Sequence, residues 1–343
     1  MSPGGRVMRS LAAVLLVGAL LSGSRSAPET PLPAAVVPIA PIPASQLPSI
    51  PRTSLPSSPP SPPPVSPFTG MPTDLGAPVL CVKIDNAARA RPHTGLDVAD
   101  LVYVEPVEGG ISRLLAVYQS RFPPVVGPVR STRVTDLQLL ANFGRPALAF
   151  SGAADDITAL VARAPVLDVS ADVRGSDYRR DWSRPIPHNL YADAMALRQG
   201  GAPPQDIGFR FGPTPAGGRP VPQANARYRA FDIGVQWVPA EARWVISMDG
   251  RPLTSAAGPR PGAATVVLQR VPVRDTSIRD ASGAPSPFAA TVGAGDVVVL
   301  RDGLAFGGTW SRPTPAAVTT FSLPDGSPLA FAPGPVWVVL VPA

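Results

Sequence analysis

Apolar positions follow two different patterns on either side of a Pro- and Gly-rich stretch at residues 212–222. Before this stretch, short apolar runs alternate with segments whose apolar residues recur every three or four positions, which is the spacing of a helix. This alternation predicts a mixed α/β first half, with a sheet covered by helices. The predicted strands lie at residues 78–84, 101–107, 113–120 and 147–150, and the predicted helices at residues 131–143, 154–163 and 191–199.

After residue 222 the pattern is that of strands alone. Asp-Gly pairs at residues 249–250, 302–303 and 325–326 are typical of two-residue hairpin turns, because both positions tolerate a positive φ. The second half is therefore predicted to be mainly antiparallel β, and the chain as a whole α+β. The predicted strands are residues 243–248, 264–271, 296–300, 328–331 and 336–341, and the predicted units are a first domain at 71–212, a linker at 213–222 and a second domain at 223–343.

The N-terminus has the features of an export signal. Arg6 and Arg9 precede an apolar run at residues 11–21, which is shorter than the roughly 20 residues that a membrane span needs. We assign residues 1–26 to a signal peptide. Ser24 stands where a lipoprotein signal has its lipid-bearing cysteine, and a hydroxyl cannot form that thioether, so we expect no lipid anchor. The protein is expected to be secreted or associated with the cell wall, with an uncleaved signal acting as a membrane anchor as the alternative.

Residues 27–70 are predicted to be a disordered linker, because fifteen prolines lie between residues 28 and 67 and no periodic apolar face is present. The only cysteine, Cys81, excludes an internal disulfide. Its apolar neighbours in a predicted strand favour a buried core thiol over a nucleophile.

The net charge of +6 is spread along the chain, so nucleic acid is not an expected partner. Lys83 is the sole lysine among many arginines, a bias typical of high-GC coding such as that of actinobacteria. An anionic cell-wall component or another carboxylate ligand is the partner that this charge suits. Nothing indicates a cofactor or an oligomeric state.

Polar residues that break the apolar pattern concentrate between Asp85 and Asp155. Several lie at strand ends or at a predicted helix start, where side chains from different elements can converge on one cleft. Carboxylates there would contact polar or cationic groups of a ligand, and arginines would contact an anion. The candidate ligand-binding residues are Asp85, Glu105, Glu108, Arg113, Arg130, Arg133 and Ser151.

Each of these residues also has a structural interpretation. Asp85 can cap a turn, Ser131 or Thr132 can cap the helix, and the glutamates can form ion pairs with the arginines. Glu105 and Glu108 could instead serve as the acid/base pair of a hydrolase. His93 and His188 could bind a metal together with nearby carboxylates, but they lack a ligand motif, so no metal site is assigned. Tryptophans in the second half are expected in the core rather than on a sugar-binding surface; they are Trp237, Trp244, Trp310 and Trp337.

Several of the same segments resemble the YerB-like family of bacterial envelope lipoproteins. The resemblance covers about residues 77–340 and implies two domains, but it implies no activity, because the family has no established function. The chain departs from the family pattern at Ser24. The matching segments are residues 82–86, 105–113, 126–131, 307–310 and 333–337.

Together these features predict an exported cell-envelope binding or interaction protein that acts through a polar cleft in its first domain. The alternative is a hydrolase of cell-wall glycan or peptide, in which Glu105 and Glu108 form the acid/base pair. An enzymatic function is the less favoured of the two.

Overall fold

A computed structural model describes residues 63–280 and 283–343, which are mostly β-sheet with a few short helices. Elements of the first half follow the predicted alternation of strands and helices. They are β1 (Leu80–Asp85), β2 (Leu101–Pro106), β3 (Ser112–Tyr118), α1 (Val134–Leu140), β4 (Ala147–Ala149), α2 (Asp155–Val161), β5 (Leu167–Asp168), β6 (Tyr178–Arg180), β7 (Leu190–Ala192) and α3 (Ala194–Leu197).

The second half consists of strands joined by short turns. They are β8 (Arg219–Pro220), β9 (Gln223–Arg227), β10 (Asp232–Val238), β11 (Arg243–Met248), β12 (Arg251–Pro252), β13 (Gly262–Ala263), β14 (Thr265–Val271), β15 (Val273–Arg279), β16 (Pro285–Ala289), β17 (Gly293–Arg301), β18 (Leu304–Arg312), β19 (Thr320–Ser322) and β20 (Val336–Pro342).

A mixed sheet of 11 strands draws on both halves of the chain, in the order β19-β18-β17-β14-β20-β2-β3-β1-β4-β5, with β8 pairing at β18. The last strand, β20, lies between β14 and β2 and is parallel to both. The two segments that the sequence assigns to separate domains are therefore joined by continuous strand pairing. A second sheet of five strands, built from β9 to β13, is antiparallel throughout.

The alternation of side chains along β1 divides the core into two layers. Leu80, Val82 and Ile84 point into a cluster that includes Trp244 and Ile246 of the five-stranded sheet. The opposite face of the large sheet packs against the helices, and its residues include Cys81, Leu115 and Val117 from the strands, with Leu139, Leu140 and Phe143 at α1 and Ile157 and Val161 of α2. Helices α1 and α2 thus cover one face of the large sheet, and the second sheet and α3 pack in the other layer.

Two predicted elements are corrected. Residues 191–199 are not one helix, because Tyr191 and Ala192 belong to β7. The carboxylate of Asp193 accepts the backbone N–H groups of Met195 and Ala196 and so sets the start of α3 after the strand. Residues 328–331 are not a strand either: only isolated bridges form at Pro328 and Phe331, and a proline cannot donate to a ladder.

The predicted linker ends earlier than residue 70. Phe68 is fully buried and stacks on Phe143, with ring centroids 5.4 Å apart. Val65 forms a bridge with Pro72. Residues 66–70 therefore pack against the fold. Ser24, the predicted signal and the rest of the Pro-rich segment lie outside the described residues.

Other local predictions are confirmed. Cys81 is buried, and burial raises the pKa of its thiol, as expected for a core residue. Trp244, Trp310 and Trp337 are core residues. Within the described part of the chain, no helix has the length and apolar character needed to cross a membrane.

Candidate functional site

Asp85, Arg113 and Glu105 form a row across three neighbouring strands. Asp85 of β1 lies opposite Arg113 of β3, and Arg113 lies opposite Glu105 of β2. Directly opposed residues project from the same face of a sheet, which here is the face covered by α1. The strand ends thus bring three of the predicted site residues together.

Asp85 is buried and is the centre of one polar cluster. Its Oδ2 accepts a hydrogen bond from His188 Nδ1 at 2.6 Å, and its Oδ1 accepts the backbone N–H of Ala87 at 3.1 Å. Burial opposes ionisation of this carboxyl, but the charge of Arg113 and the hydrogen bond from His188 outweigh it and hold the pKa of Asp85 below its usual value. Asp85 is therefore a carboxylate that already has aligned hydrogen-bond donors.

Arg113 and Arg130 lie close to this carboxylate but form no hydrogen bond with it. Nη1 of Arg113 lies 3.3 Å from Asp85 Oδ1, and Nε of Arg130 lies 3.3 Å from Asp85 Oδ2. Neither contact has hydrogen-bond geometry, and both of these nitrogens, together with Nε of Arg113, are buried without a hydrogen-bond acceptor. Arg113 is only 6% exposed, and burial lowers its pKa to about 10 despite the nearby Asp85. Three buried donors of these two guanidinium groups thus remain unpaired.

Glu108 and Arg133 form a closed pair beside this cluster. Arg133 donates from Nε and Nη2 to the Glu108 carboxylate, with its shortest contact at 2.7 Å, and from Nη1 to the carbonyls of Ser131 and Thr132. Burial of Glu108 favours its neutral form, but the hydrogen bonds and charge of Arg133 outweigh this effect and hold the pKa of Glu108 below its ordinary value. This pair matches the predicted ion pairing of a glutamate with an arginine.

Glu105 pairs with a lysine rather than with an arginine, contrary to the ion pair considered from the sequence. Lys83 Nζ lies 3.0 Å from Glu105 Oε1 and 2.6 Å from Asp136 Oδ1, and all three side chains are buried. Burial and the charge of Asp136 raise the pKa of Glu105 well above its usual value. Glu105 is consequently placed inside the protein and not on the surface of a cleft.

The helix start differs from the prediction. The N-cap of α1 is Arg133, and neither Ser131 nor Thr132 caps it. Thr132 Oγ1 and the Arg133 backbone N–H both donate to Asp136 Oδ2, at 2.9 and 2.6 Å. Asp136 thus holds the first turn through one oxygen and Lys83 through the other.

Ser151 contributes its backbone to the site. Its N–H donates to the carbonyl of Arg130 at 2.9 Å, and its carbonyl accepts the hydroxyl of Ser131 at 3.1 Å. Its own hydroxyl makes no hydrogen bond with the described residues. Ser151 therefore helps to fix the backbone at Arg130 through its own backbone hydrogen bonds.

Both histidines of the chain contact Asp85, but in different ways. His93 Nε2 donates to the Asp85 backbone carbonyl at 2.7 Å, and burial lowers the pKa of His93 to about 4, so the ring is neutral at pH 7. His188 bonds the carboxylate instead. Among residues 63–280 and 283–343, no group of three or more His, Cys, Asp or Glu side chains is arranged to hold a metal ion.

A cavity of about 440 Å³ adjoins the closed Glu108–Arg133 pair. The cavity is lined by the loop between β2 and β3, by α2 and by the hairpin of β15 and β16. The lining includes Glu108, Ser131, Arg133, Gly152, Asp155 and Arg279. Arg113 lies close enough to Glu108 and Arg133 to interact electrostatically with both. The residues that line the cavity do not include Asp85, Arg113, Arg130 or His188.

Two hydrogen-bond partners in the site were not predicted from the sequence. His188, which was considered only as a metal ligand beside carboxylates, lies 103 residues after Asp85, and no local pattern predicts the hydrogen bond between them. Asp136 was read only as part of a helix, although it binds Lys83 across 53 residues. A signal was available for the second case: a lysine inside an apolar strand requires a buried carboxylate partner.

The sequence is similar to proteins of one family along most of its length. Residues 68–206 match the family described as "Protein of unknown function (DUF3048) N-terminal domain", and residues 224–338 match the DUF3048 C-terminal domain. Over 142 residues the chain is 37% identical to the Bacillus subtilis (strain 168) protein named "Putative lipoprotein YerB". That match covers 37% of this chain and 39% of the length of the relative.

A solved structure has the same fold. The crystal structure of the YerB protein from Bacillus subtilis superposes with a TM-score of 0.68 at 22% sequence identity. The superposition covers 82% of this chain and 97% of that chain. At this identity the likeness concerns the fold alone.

Proposed function

The chain belongs to the DUF3048 family, a two-domain YerB-like family of unknown function, and we propose that it is an exported α+β protein of the cell envelope. In this proposal the protein binds an anionic ligand through the cluster of Asp85, Arg113, Arg130 and His188. An envelope location is supported by the signal-like N-terminus and by the name of the Bacillus relative. The ligand group is a phosphate or a carboxylate, as in anionic wall polymers.

The observation that carries this proposal is that three buried nitrogens of Arg113 and Arg130 have no hydrogen-bond acceptor. Buried donors are nearly always paired in folded proteins, because an unpaired donor costs about 1–3 kcal/mol. Here the oxygens of Asp85 already accept well-aligned bonds from His188 and Ala87. An oxyanion would supply the missing acceptors, and planar guanidinium groups match phosphate and carboxylate oxygens well.

The hydrolase alternative has weaker support. A glycosidase pair needs both carboxyl groups to face the substrate. Glu105 is 0% exposed and lies against Lys83, and Glu108 is bound by the guanidinium of Arg133. Binding therefore fits the arrangement of these carboxylates better than catalysis.

The experiment is a thermal-unfolding titration of the purified protein with inorganic phosphate and, separately, with acetate. A ligand that binds only the native state raises Tm as its concentration rises. We expect a rise for the wild type that is lost in Arg113→Met and Arg130→Met. Arg227→Met is the matched control, because Arg227 is 84% exposed and, among the described residues, forms an ion pair only with Asp232; it should respond as the wild type does.

General salt effects on stability act on all variants alike. The informative quantity is therefore the difference in Tm response between the wild type and Arg113→Met. Equal responses of these two proteins to both anions would contradict the proposal.

A further inference from the structure

The loop Asp181–His188 exposes large apolar side chains. Trp182 is 75% exposed and Ile186 is 65% exposed. The other tryptophans of the chain are buried, or half-buried in the case of Trp237. Pro185 and Pro187 flank Ile186 and are exposed as well. The loop therefore exposes Trp182 and, after two intervening residues, the apolar run Pro185–Pro187, whereas single exposed apolar residues are common and need no explanation.

This loop is held in place by its polar residues. Arg184 donates to the backbone carbonyls of Ala90 and Pro92, each at 3.1 Å. The Asp181 N–H bonds the carbonyl of Asn189 at 2.8 Å, which closes the loop at its base. Fixing a segment before it binds lowers the entropy lost on binding. Trp182 and Ile186 are thus presented on a constrained support.

Positive charge accompanies the apolar tip. Arg179 and Arg180, in the strand that leads into the loop, are exposed. Neither has a carboxylate within ion-pair distance among the described residues, and Arg180 donates instead to the side-chain oxygen of Asn189 at 2.8 Å. Both cations are therefore available to an anionic surface.

We infer that the Asp181–His188 loop docks on an anionic lipid surface. Trp182 and Ile186 enter the interfacial region, where tryptophan is favoured, and Arg179 and Arg180 meet the lipid phosphates. A saccharide would also stack on Trp182, but Ile186 and the two prolines offer no side-chain hydrogen bonds to its hydroxyls. The docking residues Trp182, Ile186, Arg179 and Arg180 are not part of the proposed anion site, although His188 at the end of the loop belongs to it.

The test is co-sedimentation of the purified protein with vesicles of phosphatidylcholine, with and without phosphatidylglycerol. We expect binding to the anionic vesicles, with an affinity that falls by about tenfold or more in Trp182→Ala/Ile186→Ala and in Arg179→Gln/Arg180→Gln, because apolar insertion and charge both contribute. The matched controls are Val298→Ala, at an apolar residue 37% exposed on β17, and Arg227→Gln. Both should bind as the wild type does.

Fluorescence supplies a second readout that does not depend on affinity alone. Trp182 is the most exposed tryptophan, so acrylamide should quench its emission in solution and should quench it less once vesicles are bound. Trp182→Phe should lose this protection. Absence of vesicle binding by the wild type, binding that both loop variants retain, or equal binding to neutral vesicles would overturn the inference.

Discussion

Two polar clusters on the same sheet face differ in which of their groups lack a hydrogen-bond partner. In the inner cluster, Lys83 lies between Glu105 and Asp136; the oxygens of Asp136 all accept aligned donors, and the unpaired atoms are the two oxygens of Glu105. In the outer cluster, Arg113 and Arg130 contact Asp85 without hydrogen-bond geometry. The two clusters start only two residues apart on β1, so their difference does not come from a difference in fold.

What differs is the ratio of donors to acceptors. The inner cluster has one cation and two carboxyl groups, and the raised pKa of Glu105 allows it to be neutral overall. The outer cluster has two arginines and a histidine around one carboxylate. A cluster whose charges balance stabilises the core, whereas a cluster with an excess of cationic groups is able to bind an additional anion. Each prediction below separates these two roles.

The largest effect is expected from Lys83→Met. This change leaves the buried Asp136 without its cation, and breaking a buried pair costs about 3–5 kcal/mol. Glu105→Gln is the matched control, because a residue whose pKa is raised already resembles its neutral isostere; we expect a loss of less than about 1 kcal/mol. Denaturant unfolding measures both. A larger loss for Glu105→Gln than for Lys83→Met would show that Glu105 is the charged partner.

The second effect concerns pH. The unfolded-state pKa of His93 is 6.5 and the folded-state pKa is about 4, so between these values the unfolded chain binds a proton that the folded protein does not. Stability should therefore rise with pH over this window, by about 3 kcal/mol if His93 acted alone. His93→Gln should remove this rise. A pH profile unchanged by the substitution would mean that His93 accepts its proton without unfolding.

Glu105 changes the pH dependence of stability in the opposite direction to His93. Its folded-state pKa lies well above 4.5, so the folded protein keeps a proton that the unfolded chain has released, and stability falls as pH rises above 4.5. In the wild type the two contributions oppose each other between pH 4.5 and 6.5. Glu105→Gln should therefore show a steeper increase of stability with pH than the wild type, measured by unfolding at several pH values.

A smaller effect should separate Arg133 from Arg113. Arg133→Met removes the hydrogen bonds that this guanidinium donates to Glu108 and should lower the free energy of unfolding by about 1–3 kcal/mol. Arg113→Met removes no aligned hydrogen bond and relieves an unfavourable burial of charge. It also removes a charge that favours ionised Asp85, but Asp85 keeps Arg130 and His188 as partners, so the change should stay within about 1 kcal/mol. Urea unfolding without added anion compares them. If Arg113→Met is the more destabilising change, the outer cluster also braces the fold.

The sequence predicts the central strands well and the contacts between distant elements poorly. Residues 336–341 are apolar throughout, and residues 78–84 are apolar apart from Lys83; such runs favour buried strands wherever they pair. Asp249 and Asp302 have positive φ, as the predicted Asp-Gly turns require. By contrast, the pairing of β20 with β2 depends on the whole topology, and no local pattern indicates it.

The candidate site shows the same limit. Asp85, Arg113 and Arg130 were identified because polar residues at strand ends break an apolar pattern. Their partner His188 comes from a loop whose position depends on the pairing of β6 with β7. The exposure of Trp182 was not predicted either, because a tryptophan is more often buried than exposed and sequence alone does not show which one lacks a neighbour.

The smallest effect is expected from Ser151→Ala, which tests whether this serine belongs to either cluster through its side chain. Its N–H and carbonyl hold the backbone of Arg130 and the hydroxyl of Ser131, and both contacts survive the substitution. Its own hydroxyl bonds no described residue. The free energy of unfolding should change by less than about 0.5 kcal/mol, as for other substitutions that remove no contact. The Tm response to phosphate should also remain that of the wild type. A loss of this response with unchanged stability would mean that the hydroxyl itself contacts the anion, and the outer cluster would then extend from β1 to the strand end at β4.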